Sequence, residues 1–167
     1  MMAQFTGKTC GAFRTWVRLG YSGCWLILLP LLAALATVGC STFNREWKAA
    51  AATPAATNDV SGRWQGIWRS DVNGHTGKLR CMVTRQSGTN YTARFHAKYR
   101  KILSFGYTVE LAVQESAGLF HFQGEANLGK LAGGIYDYAG EASATNFFST
   151  YRCKYDHGIF QMSRPVE

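Results

Sequence analysis

From residue 61 onward, apolar and polar residues alternate in short segments separated by turn-forming residues. The clearest segment covers residues 91–100, where polar residues alternate with Tyr91, Ala93, Phe95, Ala97 and Tyr99. A period of two places successive side chains on opposite faces of a β-strand. The segment therefore predicts a strand with one buried and one solvated face.

The same pattern predicts eight short strands. They cover residues 62–70, 78–86, 91–100, 105–114, 119–126, 135–142, 145–155 and 159–163. Short strands joined by short links favour an all-β antiparallel meander, and a meander removes its exposed edges by closing on itself. We therefore predict a closed or partly flattened eight-stranded barrel over residues 61–167, wide enough for side chains or one small ligand.

The N-terminal 40 residues have a different composition. Residues 1–20 contain three basic residues and no acidic one, and residues 24–38 form an uncharged apolar run. This order is typical of a secretory signal peptide. The run is shorter than the roughly 20 apolar residues that a membrane-spanning helix needs. We therefore predict a hydrophobic signal helix within residues 1–40.

The end of the apolar run reads Thr37-Val38-Gly39-Cys40 and resembles the lipobox of bacterial lipoproteins. The resemblance implies that Cys40 is lipidated and becomes the first residue of the mature protein, and that Ser41 permits outer-membrane sorting. Thr37 departs from the leucine that is usual at its position. An uncleaved signal anchor is the alternative. Either arrangement places the folded domain outside the cytoplasm, attached to a membrane of the bacterial cell envelope.

Residues 41–60 are small and polar with a central run of alanines. This composition predicts a tether between the membrane and the barrel. Two aromatic residues of the tether, Phe43 and Trp47, are predicted to lie in the lipid interface.

The first predicted strand opens with Gly62-Arg63-Trp64, which resembles the opening of lipocalin and avidin-type barrels. The resemblance implies a lipocalin-like barrel with a tryptophan at one end, and it transfers no ligand residue. Seven aromatic residues are candidates for plugging the barrel or lining a ligand site: Trp64, Trp68, Phe95, Tyr99, Phe120, Phe122 and Tyr151.

Two cysteines remain in the predicted barrel, Cys81 and Cys153. An even pair in an oxidising compartment makes a disulfide possible. In a simple meander barrel, however, their strands are three strand steps apart, which exceeds the usual Cα separation of a disulfide. The alternatives are a disulfide in a flattened or reordered barrel, or two free thiols.

The charge pattern argues against a nucleic-acid partner. The net charge is +8, but the part after Cys40 holds 15 basic and 10 acidic residues and is therefore only mildly basic. That excess lacks the dense basic stripe of a nucleic-acid binder. The densest cluster could contact an anionic surface or could simply keep one strand face soluble. It contains Arg94, Lys98, Arg100 and Lys101.

The sequence predicts no catalytic residue, no metal site and no cofactor. His75, His96, His121 and His157 lack metal-ligand spacing, and no catalytic motif is present. His96 and His121 are predicted on solvated strand faces. Three functions stay open: a non-enzymatic lipoprotein that binds a small apolar ligand, a lipid or an envelope partner; a structural protein with a filled barrel; and a small enzyme using His121 or His157 with an acidic residue.

Overall fold

The computed structural model describes residues 42–53, 58–99 and 103–166. These residues belong to one compact unit, Leu35–Glu167. The predicted signal sequence, the lipobox-like segment with Cys40, and the basic residues Arg100 and Lys101 lie outside the described residues. Within the described ranges, no helix combines the length and apolar character needed to cross a bilayer.

Eight strands form a closed antiparallel barrel in chain order. The strands are β1 (Gly62–Ser70), β2 (Thr76–Ser87), β3 (Asn90–Tyr99), β4 (Leu103–Ser116), β5 (Leu119–Asn127), β6 (Ile135–Ala142), β7 (Asn146–Arg152) and β8 (His157–Ser163). Each strand pairs with the next, and β1 pairs with β8 to close the sheet. The all-β meander predicted from the alternation is confirmed, and the barrel is closed.

The junction between β1 and β8 depends on two glycines. A Cβ atom on Gly66 would lie 1.9 Å from the carbonyl oxygen of Gln161, and one on Gly158 would lie 2.0 Å from the carbonyl oxygen of Arg69. Neither position has room for a side chain. The two glycines therefore allow the first and last strands to approach each other closely where the barrel closes.

The end of β7 differs from the sequence prediction. The alternation placed Cys153 and Tyr155 on the inward face of a strand that continues to residue 155, but β7 ends at Arg152. The chain turns over residues 153–156, where the Cys153 amide donates to the Asp156 carbonyl over 2.8 Å. Tyr155 is 67% exposed in that turn. The aromatic pattern thus continues past the point where the backbone leaves the sheet.

The segment predicted as a tether packs on the barrel. Residues 42–49 are helical and are followed by the 3₁₀ turn Ala50–Ala52. Phe43 and Trp47 are four residues apart, so they share one helix face, and both are buried. Their predicted place in the lipid interface is therefore wrong. We call residues 42–49 the flanking helix.

The flanking helix covers the outer wall formed by β1, β2 and β3. The Phe43 ring stacks on His96 with 5.0 Å between the ring centroids. The guanidinium groups of Arg63 and Arg80 lie 5.4 and 5.1 Å from the centroid of Trp47. These cation–π and stacking contacts explain why two large aromatic rings are buried on an otherwise polar wall.

An ion pair between Glu46 and Arg94 adds to this contact.

The predicted solvated position of His96 is wrong, because the helix leaves this side chain only 6% exposed. Its Nε2 atom is buried and has no hydrogen-bond partner among the described residues. Burial, together with the positive charges of Lys98 and Arg80, lowers the pKa of His96.

Replacing Phe43 with alanine should destabilise residues 41–167 by about 3 kcal/mol, since the change removes a buried aromatic ring. Urea unfolding followed by circular dichroism measures the loss. The control is Phe148→Ala on the exposed wall of β7, expected to change stability by less than about 1 kcal/mol. Equal losses in the two variants would contradict the docked position of the flanking helix.

Acidification should weaken the fold through His96. Because the pKa of His96 is lowered in the folded protein, the unfolded chain takes up this proton first as the pH falls. His96 therefore leaves the free energy of unfolding unchanged above the usual histidine pKa of about 6.5, and it lowers that free energy as the pH falls below this value. The urea midpoint should fall less between about pH 7.5 and about pH 5.5 in His96→Gln than in the wild type.

The matched control for this pH dependence is His121→Gln, because His121 is exposed on the outer wall. The urea midpoint of this variant should fall with decreasing pH as much as that of the wild type. An unchanged pH dependence in His96→Gln would exclude His96 as its source.

Candidate ligand site at the barrel mouth

One end of the barrel is filled by Trp64. This side chain is fully buried, and its indole Nε1 donates to the carbonyl oxygen of Val60 over 2.9 Å. The ring of Phe147 lies beside it, with 5.4 Å between centroids. Since the indole N–H is satisfied by the chain entering β1, the residue is anchored as well as buried.

Arg164, just after β8, covers the same end. Its guanidinium carbon lies 3.7 Å from the centroid of the Trp64 ring, and its nitrogens donate to the carbonyl oxygens of Ser61 (2.8 Å) and Asp59 (3.0 Å). Burial lowers the pKa of Arg164 to about 10. These contacts join the segment that enters β1 to the segment that leaves β8, and we call this end of the barrel the closed end.

Aromatic rings also fill the middle of the barrel. Phe122 and Phe147 stack with 4.6 Å between centroids, next to the closed end. Further along the barrel, Phe95 lies 5.4 Å from Phe160 and 5.2 Å from Tyr107. The packed region therefore extends from the closed end past the middle of the barrel.

The opposite end, which we call the mouth, contains a cavity of about 300 Å³. Its wall is mostly apolar and aromatic, as is usual for small-molecule sites. The lining residues are Trp68, Leu79, Ala97, Phe105, Tyr107, Leu128, Ala132, Tyr136, Tyr138, Tyr151, Asp156 and Phe160.

Tyrosines supply most of the polar atoms of this wall. The ring of Tyr138 stacks between two of them, 6.2 Å from the ring of Tyr107 and 6.3 Å from the ring of Tyr136, measured between centroids. Burial raises the pKa of all four lining tyrosines. Their hydroxyls therefore stay protonated near neutral pH. Those of Tyr107, Tyr136 and Tyr138 can donate hydrogen bonds to a bound molecule, whereas that of Tyr151 donates to Asp156.

Asp156 ties two connections of the mouth together. One carboxylate oxygen accepts a hydrogen bond from the Ser70 hydroxyl over 2.6 Å, and the other accepts one from the Tyr151 hydroxyl over 3.3 Å. The Ser70 oxygen in turn accepts the amides of Val72 and Asn73. This network links the β1–β2 turn to the β7–β8 turn beside the cavity.

The seven aromatic candidates from the sequence are divided between different environments. Trp68 and Tyr151 line the cavity, and Phe95 lies in the packed region near it. Tyr99 lies outside the cavity lining, against Trp68 and His75. The remaining candidates are buried in or near the closed half: Trp64, Phe120 and Phe122.

Other lining residues were not singled out from the sequence. The alternation does place Tyr107, Tyr136 and Tyr138 on inward faces, but every inward residue shares that signal. Asp156 is part of a turn signal and carries no periodic pattern. Inward residues of the mouth differ from inward residues of the packed interior only in their position along the barrel axis.

Both barrel cysteines are free thiols, Cys81 buried and Cys153 half-buried. The strand order places β2 and β7 three steps apart through β1 and β8. Three strand steps exceed the usual Cα separation of a disulfide, which agrees with two free thiols. Burial raises the pKa of Cys81, which packs as a small apolar side chain.

The remaining candidates lie on the outer surface. His121 is exposed on β5 opposite Glu141, and His157 is exposed on β8 opposite Arg152. Within the described ranges, no group of histidine, cysteine and acidic side chains is arranged to hold a metal ion.

The predicted basic cluster is not a single exposed surface in the described part of the chain. Arg94 pairs with Glu46 of the flanking helix, and its guanidinium lies 5.7 Å from the Phe43 ring centroid. Lys98 is exposed near the mouth. Arg94 therefore belongs to the contact with the flanking helix, and Lys98 belongs to the surface near the mouth.

Comparisons with protein-family models, with curated proteins and with solved structures found no match for this chain. The function of this chain therefore has to be inferred from the geometry of the mouth.

Removing the Asp156 carboxylate should loosen the mouth. Asp156→Ala should destabilise residues 41–167 by about 2 kcal/mol, because it removes a charged acceptor and leaves buried hydroxyls unpaired. The control, Asp71→Ala, removes only an exposed ion pair with Arg69 and should cost at most about 1 kcal/mol. Urea unfolding compares them, and equal costs would show that the Asp156 network does not stabilise the mouth.

Proposed function

We propose that this protein is a non-enzymatic lipoprotein of the bacterial cell envelope that binds a small, mainly apolar ligand in the mouth of its barrel. The observation that carries the proposal is the contrast between the two ends. At the closed end Trp64 fills the barrel beneath Arg164, and the cavity of about 240 Å³ beside Gly88 and Tyr91 has a mainly polar lining. The mouth instead keeps a mainly apolar cavity of about 300 Å³ among aromatic side chains. A barrel evolved only for stability gains nothing from a cavity, because unfilled space costs packing energy.

The size and chemistry of the cavity limit its ligand. Its volume is at the small end of the range for ligand pockets, about 300–1,000 Å³. Aromatic walls favour a flat ring system or the end of an acyl chain. The protonated tyrosine hydroxyls favour a single polar group that accepts hydrogen bonds. We infer a small amphiphile with a mainly apolar body.

The cellular location is part of the proposal and is supported by the first 41 residues. The basic segment, the apolar run and the lipobox-like Thr37–Cys40 favour export and attachment to a membrane, with the outer membrane favoured by Ser41. The flanking helix begins close after Cys40 and packs on the barrel wall. A lipid on Cys40 would consequently hold the barrel close to the bilayer rather than at the end of a long tether.

Two other functions remain as outcomes of the test. The packed interior around Phe95 and Phe122 favours a purely structural role if the mouth stays empty. An enzymatic role using His121 or His157 has less support, because neither histidine is among the residues that line the cavity.

Filling the cavity should weaken the binding of an apolar probe. Ala97 lines the cavity from β3, so Ala97→Leu places additional carbon atoms in the ligand space. We expect residues 41–167 to bind the fluorescent apolar dye N-phenylnaphthylamine, and Ala97→Leu to weaken binding by about tenfold or more. Dye fluorescence titrations measure the dissociation constants.

The matched control is Ala112→Leu, which adds the same group on the exposed outer face of β4 and should leave dye binding unchanged. Native mass spectrometry of the wild type purified without detergent provides a second measurement, since a retained ligand adds mass that denaturation removes. Absence of both dye binding and retained mass would reject the carrier function and favour the structural role.

A further inference from the structure

The exposed large apolar side chains are concentrated at the mouth. Six of them lie there. Each belongs to one of the four connections between strands at this end, or to the first residues of the strand that follows the connection. They are Val72, Leu103, Phe105, Leu131, Ile135 and Tyr155, which are 49% to fully exposed. We call these six residues the rim. A soluble surface seldom groups so many apolar side chains unless they contact another apolar surface.

The opposite end of the barrel has a different composition. Its three turns between strands consist of Gly88 and Thr89, of Ala117 and Gly118, and of residues 143–145, which are Ser, Ala and Thr. None of these turn residues is among the exposed large apolar side chains of the described chain. Val166, which follows β8, and Phe148, on the wall near the start of β7, are the exposed large apolar residues in this half of the described barrel. The rim is therefore a property of the mouth and not of barrel turns in general.

Positive charge accompanies the rim. Lys98, Lys130 and Lys154 are exposed beside it, in β3, the β5–β6 connection and the β7–β8 turn. The acidic residues of the neighbouring turns are already engaged, because Asp71 pairs with Arg69 and Asp156 accepts hydrogen bonds from side chains of the barrel. The mouth thus presents apolar side chains together with lysines, which suits an apolar layer bordered by anionic groups.

We propose that the rim docks the barrel, mouth first, onto a lipid bilayer that contains anionic headgroups. Side chains such as Leu131 and Tyr155 would enter the boundary between headgroups and acyl chains, where aromatic and aliphatic residues are favoured. The lysines would contact lipid phosphates. Docking in this orientation opens the cavity directly to the membrane, so an apolar ligand could pass between bilayer and barrel without crossing water.

The inference rests on the proposed function in one respect: ligand exchange, the purpose assigned to docking, assumes that the cavity binds a ligand. Docking itself depends on the rim and the lysines, and it can be measured separately from ligand binding. A protein partner with an acidic, apolar surface is the competing occupant, and such a partner would not require lipid.

The test is co-sedimentation of residues 41–167, which lack the apolar signal segment, with phosphatidylcholine vesicles prepared with or without phosphatidylglycerol. We expect the wild type to sediment with the phosphatidylglycerol vesicles and much less with the others. The rim variant Leu131→Ser/Tyr155→Ser, which changes no cavity-lining residue, should lower the partition coefficient by about tenfold. Lys130→Gln/Lys154→Gln should abolish the preference for phosphatidylglycerol.

The matched control is Ile67→Ser/Phe148→Ser, which removes two apolar side chains that are exposed on the barrel wall away from the rim. This variant should bind vesicles like the wild type. Circular dichroism confirms that each variant is folded, and N-phenylnaphthylamine binding in the same samples reports on the cavity.

The outcomes distinguish the two proposals. A rim variant that binds the dye normally but no longer sediments supports membrane docking. A wild type that binds the dye but does not sediment, or a rim variant that sediments like the wild type, overturns docking and leaves the ligand-binding proposal intact. Sedimentation lost equally in the wall control and the rim variant also overturns it.

Discussion

The pairing of β1 with β8 is the constraint on which the rest of this structure depends. It gives every strand two hydrogen-bonded neighbours and leaves no sheet edge to be protected. The pairing requires close approach at Gly66 and Gly158, where a side chain would collide with the opposite backbone. Once the sheet is closed, inward residues form one continuous core, and the two ends of the barrel become separate environments.

The two ends of the barrel then differ in how their side chains pack. At the closed end the segment entering β1 meets the segment leaving β8, and Arg164 bridges them across the face of Trp64. At the mouth the connections are joined by the Asp156–Ser70 network and leave a space between them. Rigid packing at one end and a supported opening at the other are the arrangement expected of a small carrier whose ligand enters from one side.

The flanking helix connects this domain to its proposed membrane anchor. It buries Phe43 and Trp47 on the barrel wall and covers His96, whose pKa is lowered by burial and by nearby positive charges. If Cys40, two residues before the helix begins, carries the proposed lipid, that lipid would keep the barrel close to the bilayer. Anchor, helix and rim would then act together to keep the mouth near lipid, with docking itself determined by the rim.

The sequence by itself determined the strand number, the inward faces and the barrel class, because alternation with a period of two depends only on neighbouring residues. It could not determine that residues 42–49 pack on the wall or that His96 is covered, since contacts between distant segments leave no local pattern. It identified Trp68 and Tyr151 as inward aromatic residues, but not the mouth formed by Asp156 and the rim. Tertiary structure alone decided those features, because height along the barrel axis arises from the register of eight paired strands, which local alternation does not specify.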